Sequence, residues 1–146
     1  MSLGIRQIFV LGADVPLTSD QVVGTIGLTT PIAANQTMRL KIWIPITVGA
    51  TGGFQFQIVV PAAPTLVRST TSFVNTVAPA TVTSIQATSV AVGNALANAG
   101  SHWVEVDAVV VNGANAGNVD IQVAQNTSDV LTLTVLRGAT LEATIV

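Results

Sequence analysis

The chain contains no cysteine and no tyrosine, one histidine, and only 8% charged residues in 146. Without cysteine it has neither a disulfide framework nor a thiolate metal site, and redox chemistry says nothing about its compartment. The five basic residues, Arg6, Arg39, Lys41, Arg68 and Arg137, are scattered along the sequence. Phosphate recognition needs a positive patch, so nucleic acid is not an expected partner. The seven carboxylates, Asp14, Asp20, Glu105, Asp107, Asp120, Asp129 and Glu142, are likewise dispersed, and no DxDxDG loop occurs.

Catalysis has little to work with. No GxSxG or HExxH pattern is present, and His102 has no oriented nucleophile beside it in sequence. It reads as a strand-end or interface residue next to Trp103. The glycine-rich stretches Gly49 to Gly53 and Gly113 to Gly117 lack the lysine and following Ser or Thr of a phosphate loop, so they read as turns. No catalytic residue, metal or cofactor is expected, and the chain is not expected to be an enzyme. Asn126-Thr127-Ser128 formally matches a glycosylation acceptor but reads as a turn.

Long apolar runs are also missing. The uncharged stretch Ser69 to Val104 is broken throughout by Thr, Ser, Asn and Gln, which excludes a membrane span, since that needs about 18 or more continuous apolar residues. Near the start, the run Ile8 to Leu11 is short and Asp14 follows soon after, so no secretory signal is expected.

What remains is 49% hydrophobic residues, with 23 Val and 19 Thr, a composition suited to pleated sheets. The surface must therefore be tiled by Thr, Ser, Asn, Gln, Gly and Ala. Ordinary domains carry about 25% charged residues, and a net charge of -2 gives little repulsion between copies. Such a surface is suited to being covered.

Alternation locates the strands. Met38, Leu40, Ile42 and Ile44 share one face against Arg39, Lys41 and Trp43, with Pro45 as an end or edge position. Phe54, Phe56, Ile58 and Val60 alternate with Gln55, Gln57 and Val59 up to Pro61. Val104, Val106, Ala108 and Val110 alternate with Trp103, Glu105, Asp107 and Val109, and Asn112 to Asn118 then suggests a hairpin reversal into Val119 to Gln125. Leu131, Leu133 and Val135, a tight turn at Arg137-Gly138, and Leu141, Ala143 and Ile145 complete what reads as a C-terminal β-meander. Val22 to Leu28 reads as a strand, Val82 to Val92 as one or two short strands, and Asn94 to Asn98 as a helical turn. The expected fold is an all-β antiparallel sandwich of the jelly-roll type.

Two of these strands each carry a Trp and two like charges on the outward face, in complementary order. An antiparallel register with Trp43 opposite Trp103, Lys41 opposite Glu105 and Arg39 opposite Asp107 is expected, with each pair worth about 0.2 to 1 kcal/mol. The same Trp pair also suits an interface or a sugar-binding strip.

The segment Leu3 to Val15 differs, because Ile5, Ile8, Phe9, Val10 and Leu11 place apolar groups on both faces. It is expected to be covered on both sides, as a central strand of the sandwich or, by preference, as an arm added to a neighbouring subunit. Residues 1 to 17 therefore form an arm or edge strand, and residues 18 to 146 a single domain. Together with Trp43 and Trp103, these five are the candidate interface residues.

The run Val109 to Ser128, VVVNGANAGNVDIQVAQNTS, followed by Val135-Leu136-Arg137-Gly138-Ala139, resembles a module of tailed-bacteriophage virion proteins. Leu28, Pro31, Ile32, Ala34-Asn35, Thr37, Ile44-Pro45, Gly52-Gly53-Phe54 and Pro61 follow the same order, so the resemblance covers about Asp20 to the end. Ala139 departs from it, since relatives often carry Ser there. The resemblance implies a small β-sandwich on the virion, commonly trimeric, made in the bacterial cytoplasm. It implies a decoration or cement role on the capsid surface, with the major capsid protein and its own copies as partners. The alternative is a fibre or tail appendage, or a receptor-binding module in which Trp43 and Trp103 stack on a carbohydrate.

Overall fold

A computed structural model describes residues 4–17, 24–49, 53–75, 84–86, 92–94, 100–125 and 132–146. Among these residues twelve strands form: β1 (Arg6–Val10), β2 (Val15–Leu17), β3 (Gly24–Ile32), β4 (Thr37–Val48), β5 (Phe54–Val59), β6 (Leu66–Asn75), β7 (Ser84–Gln86), β8 (Val92–Asn94), β9 (Gly100–Val111), β10 (Gly117–Ala124), β11 (Leu133–Val135) and β12 (Thr140–Ile145). Every pairing among them is antiparallel.

Period-two alternation decides which atoms meet. Ile26, Leu28, Phe54, Phe56, Ile58, Val119, Ile121 and Val123 point inward from one sheet. Met38, Leu40, Ile42, Ile44, Val104, Val106, Val110 and Leu141 point inward from the other, and all join one core. Each such side chain is worth about 1.5 to 3 kcal/mol on burial, which outweighs any single surface contact.

The smaller sheet runs β3-β10-β5-β8, and the larger contains β4-β9-β6-β7. Strands β3 to β10 thus pair as nested antiparallel partners, β3 with β10, β4 with β9, β5 with β8 and β6 with β7. Eight strands folded in this way, with successive strands alternating between the two sheets except at the β6–β7 hairpin, form a jelly roll. Beyond β4 the larger sheet continues through β12 to β1, and β11 pairs with both β2 and β4.

The C-terminal third is therefore not a meander. β9 and β10 lie in different sheets, as do β10 and β11, while β11 and β12 lie in the same sheet without pairing to each other. The reversal after β9 is a crossing because its backbone is tied to the β3–β4 turn instead of to the next strand. Asn112 N–H donates to Gln36 O at 2.9 Å and Asn35 N–H to Gly113 O at 2.7 Å. The buried Asn112 carboxamide donates to Ala33 O at 2.8 Å and Asn115 O at 2.7 Å.

Pro45 also departs from expectation, lying within a central strand instead of at an end or edge. Its carbonyl accepts from Leu136 N–H at 2.9 Å, so its polar side faces the gap between β11 and β12. No ladder donor is required there, which is how a proline survives inside β4.

Two glycines make local geometry possible. Gly27 has φ of +83° beside the register shift between Asp120 and Gln122, a β-bulge in the β3–β10 ladder. Gly138, at φ +88°, forms the expected turn, where Arg137 N–H donates to Asp14 Oδ1 at 2.7 Å and Gly138 N–H donates to Leu11 O. The stretch Asn126 to Asp129, with its formal acceptor motif, and most of Asn94 to Asn98 lie outside the described residues.

Candidate functional site

The outward face of the larger sheet collects most of the chemistry this chain possesses. Strand registers define three rows across it. Arg6, Thr144, Arg39, Val109 and Arg68 form one; Ile8, Glu142, Lys41, Asp107 and Thr70 the next; Val10, Thr140, Trp43, Glu105 and Ser72 the third. Seven of the twelve charged residues of the chain stand on this one face, four cations and three carboxylates. Residues scattered in the sequence are thus brought together by strand order, which leaves no mark in local periodicity.

Strands β4 and β9 run side by side over their full length, but the register differs from the expected one by two residues. Trp43 lies opposite Glu105, Lys41 opposite Asp107, Arg39 opposite Val109, and Trp103 opposite Pro45. A slip of one residue would turn the core outward, whereas a slip of two preserves both faces, so alternation alone cannot choose between such registers. The two indoles still meet, now diagonally, with ring centroids 6.5 Å apart and planes tilted by 37°. This lies within the usual range for aromatic pairs.

Among the described residues, the ion pair on this face joins Arg6 to Glu142 at 2.7 Å and fastens β1 to β12. Neither Arg39–Asp107 nor Lys41–Glu105 forms. Because Pro45 turns its carbonyl away from β9, the outward residues of β4 make the close, non-hydrogen-bonded type of pair with β9. Lys41 and Asp107 therefore face each other at short backbone distance without closing an ion pair.

The first apolar segment lies along its own chain, as the outer strand β1 beside β12. Its faces are unequal: Phe9 and Leu11 pack against the core, while Ile8 and Val10 stand outward at 56% and 61% exposure. Ile5, which precedes the strand, is 62% exposed, and its carbonyl accepts from Ile145 N–H. The apolar outer surface of β1 thus lies on the same face as Trp43 and Trp103, which are 39% and 37% exposed.

His102, the third residue of β9, is not a surface group. It shares the inward parity of Val104 and Val106 on β9 and is only 2% exposed. Among the described residues no group of three or more His, Cys, Asp or Glu gathers at metal-binding distance.

Shallow depressions formed by described residues lie on the outward face. One, of about 500 Å³, is bordered by Arg39, Lys41, Arg68, Thr70, Asp107 and Val109 among others. A smaller one, of about 240 Å³, lies beside Trp43, Glu105 and Thr140. Sequence reading had picked out the central residues of this face, but not Arg68, Glu142 or Arg6 as their neighbours. Their only local signal was outward parity on separate strands.

The fold and this surface define a jelly-roll β-sandwich with one mixed apolar and charged face. No family model and no curated protein matches the chain. Among solved structures, that of the Gx strain of infectious bursal disease virus aligns with 99% of this chain at 9% identity and a TM-score of 0.26. The VP2 subviral particle of infectious bursal disease virus aligns with 97% of it at 8% identity and a TM-score of 0.24. The chain spans about 40% of the length of each of those chains, and the likeness is too slight to transfer a role.

Proposed function

We propose that this chain is a structural protein of a tailed-bacteriophage virion, a homotrimer that decorates the outside of the head and cements it. The observation carrying this reading is the outward face, where Ile8, Val10, Trp43 and Trp103 stand exposed on a chain that is otherwise poor in charge. A face of this kind loses unfavourable water contacts when it is covered. The resemblance of Val109 to Ser128 to virion modules supports the same reading.

The mechanism is binding, not catalysis. A protein that attaches across several shell subunits favours the assembled over the dissociated state by mass action. Three linked copies make the second and third contacts intramolecular, so that no single contact needs to be strong. Among the described residues β1 pairs with a strand on one side only, so its outer edge is a further route to contact between copies through a neighbouring strand.

The test is the copy number of this chain relative to the major capsid protein in purified particles, by quantitative mass spectrometry, with native mass spectrometry for the free oligomer. Near parity and a trimer are the expected results. A trace ratio removes the decoration role and favours a fibre or tail appendage.

The adjacent half-exposed indoles of Trp43 and Trp103 favour a second reading, a carbohydrate-binding tip. Glycan-array binding that is lost in Trp43→Ala would establish that reading, and a blank array would remove it.

A further inference from the structure

Arg39 and Arg68 both stand opposite Val109, one on each side of β9. One close and one wide antiparallel pair place their Cα atoms about 10 Å apart. An extended arginine side chain reaches about 6 Å, so the two guanidinium groups can meet above the shorter valine. The 500 Å³ depression opens over this row. Arg6 is engaged by Glu142, whereas among the described residues Arg39 and Arg68 have no carboxylate at ion-pairing distance.

We propose that Arg39 and Arg68 form a two-armed site for a carboxylate presented by an acidic segment of a protein partner. In the decoration reading, on which this identification of the partner rests, that segment belongs to the shell subunit. Guanidinium forks match the planar carboxylate and hold it by charge-assisted hydrogen bonds. The surroundings select against a polyanion. Asp107, which borders the same depression with Lys41 opposite it, and Glu105 one row further along β9 repel a run of phosphates, whereas a single carboxylate over Val109 meets only the nearer of these rows, where Lys41 offsets Asp107. Trp43, Trp103 and Val10, further along the same face, supply the apolar contact that a protein surface uses and a nucleic-acid backbone does not.

The site is tested first in isolation. A capped peptide with three glutamates is titrated into labelled protein at low salt while the Nε–H signals of Arg39 and Arg68 and the Val109 amide are followed by NMR. The expected result is movement of these signals, and binding at least about tenfold weaker in the Arg39→Gln/Arg68→Gln variant. Arg137→Gln, which removes a cation outside this face, should leave binding unchanged. Equal binding by the double variant overturns the site. Tighter binding of tripolyphosphate or an oligothymidylate overturns the carboxylate assignment, and shifts that grow with protein concentration alone would assign the site to a second copy.

Co-sedimentation with undecorated particles separates this proposal from the decoration reading. If the wild type fails to bind particles while the peptide result holds, the decoration reading falls and the carboxylate site stands. If wild type and double variant bind particles equally, the role of the arginines in that contact falls and decoration stands.

Discussion

Replacing Asn112 tests whether a single carboxamide holds the crossing between the two sheets. The residue is 2% exposed, and its Nδ2 donates to Ala33 O and Asn115 O at 2.8 and 2.7 Å. Its Oδ1 has no partner among the described residues. In Asn112→Ala two hydrogen bonds vanish, each worth about 0.5 to 1.5 kcal/mol net. Removal of the unsatisfied oxygen returns about 1 kcal/mol, leaving a loss of at most about 2 kcal/mol. Asn112→Asp is nearly isosteric and should be worse. It sets an acceptor against two carbonyl oxygens and buries a charge, at a cost of about 3 kcal/mol or more. Urea unfolding at fixed protein concentration measures both. With a slope of about 2 kcal/mol/M, the aspartate variant should shift the midpoint by about 1.5 M or more and the alanine variant by at most about 1 M. If aspartate proves as mild as alanine, the amide donors do not fasten this loop and the reasoning fails.

The diagonal indole contact predicts a coupling of about 0.5 to 1.5 kcal/mol in a Trp43→Ala/Trp103→Ala double-mutant cycle. On the same strands, Lys41 should couple to Asp107 more strongly than to Glu105, with neither exceeding about 1 kcal/mol; the reverse order would restore the register expected from sequence. Gly113→Ala should lower stability by about 1 to 3 kcal/mol, because a methyl there collides with the Ala63 carbonyl oxygen and the backbone must move; an unchanged thermal midpoint would refute this. The Arg6–Glu142 pair, with side chains 58% and 29% exposed, should contribute no more than about 1 kcal/mol in a cycle and fade as salt rises. A coupling above 2 kcal/mol that persists in high salt would contradict that expectation.

Alternation in Phe54 to Val59, Met38 to Ile44, Val104 to Val110 and Val119 to Val123 is a local property, enforced by the pleat, so the inward faces could be read directly from sequence. The same holds for the Arg137-Gly138 turn, which needs one residue at positive φ. The Arg39–Asp107 and Lys41–Glu105 pairings failed because registers two residues apart bury identical side chains, and pair energies near 1 kcal/mol are too small to mark one of them in the sequence. The supposed hairpin after β9 failed because a glycine- and asparagine-rich loop can reverse within a sheet or cross between sheets. Asn112 chose the crossing through partners at Ala33, Asn115 and Gln36.

By itself, then, the sequence determined the class of fold, the buried side of each main strand and the scarcity of charge, since all three follow from residue type and near-neighbour spacing. Beyond the pairing of β4 with β9, which their complementary order of Trp and charge announced, only the tertiary structure decided which strands adjoin. That order set the register of β4 on β9 and the inward turn of His102, and it brought Arg6, Arg39, Arg68, Glu142, Ile8 and the two tryptophans onto one face. The physical reason is that strand order is fixed by the joint burial of one core by residues far apart in the chain, a collective quantity to which no short segment holds the key.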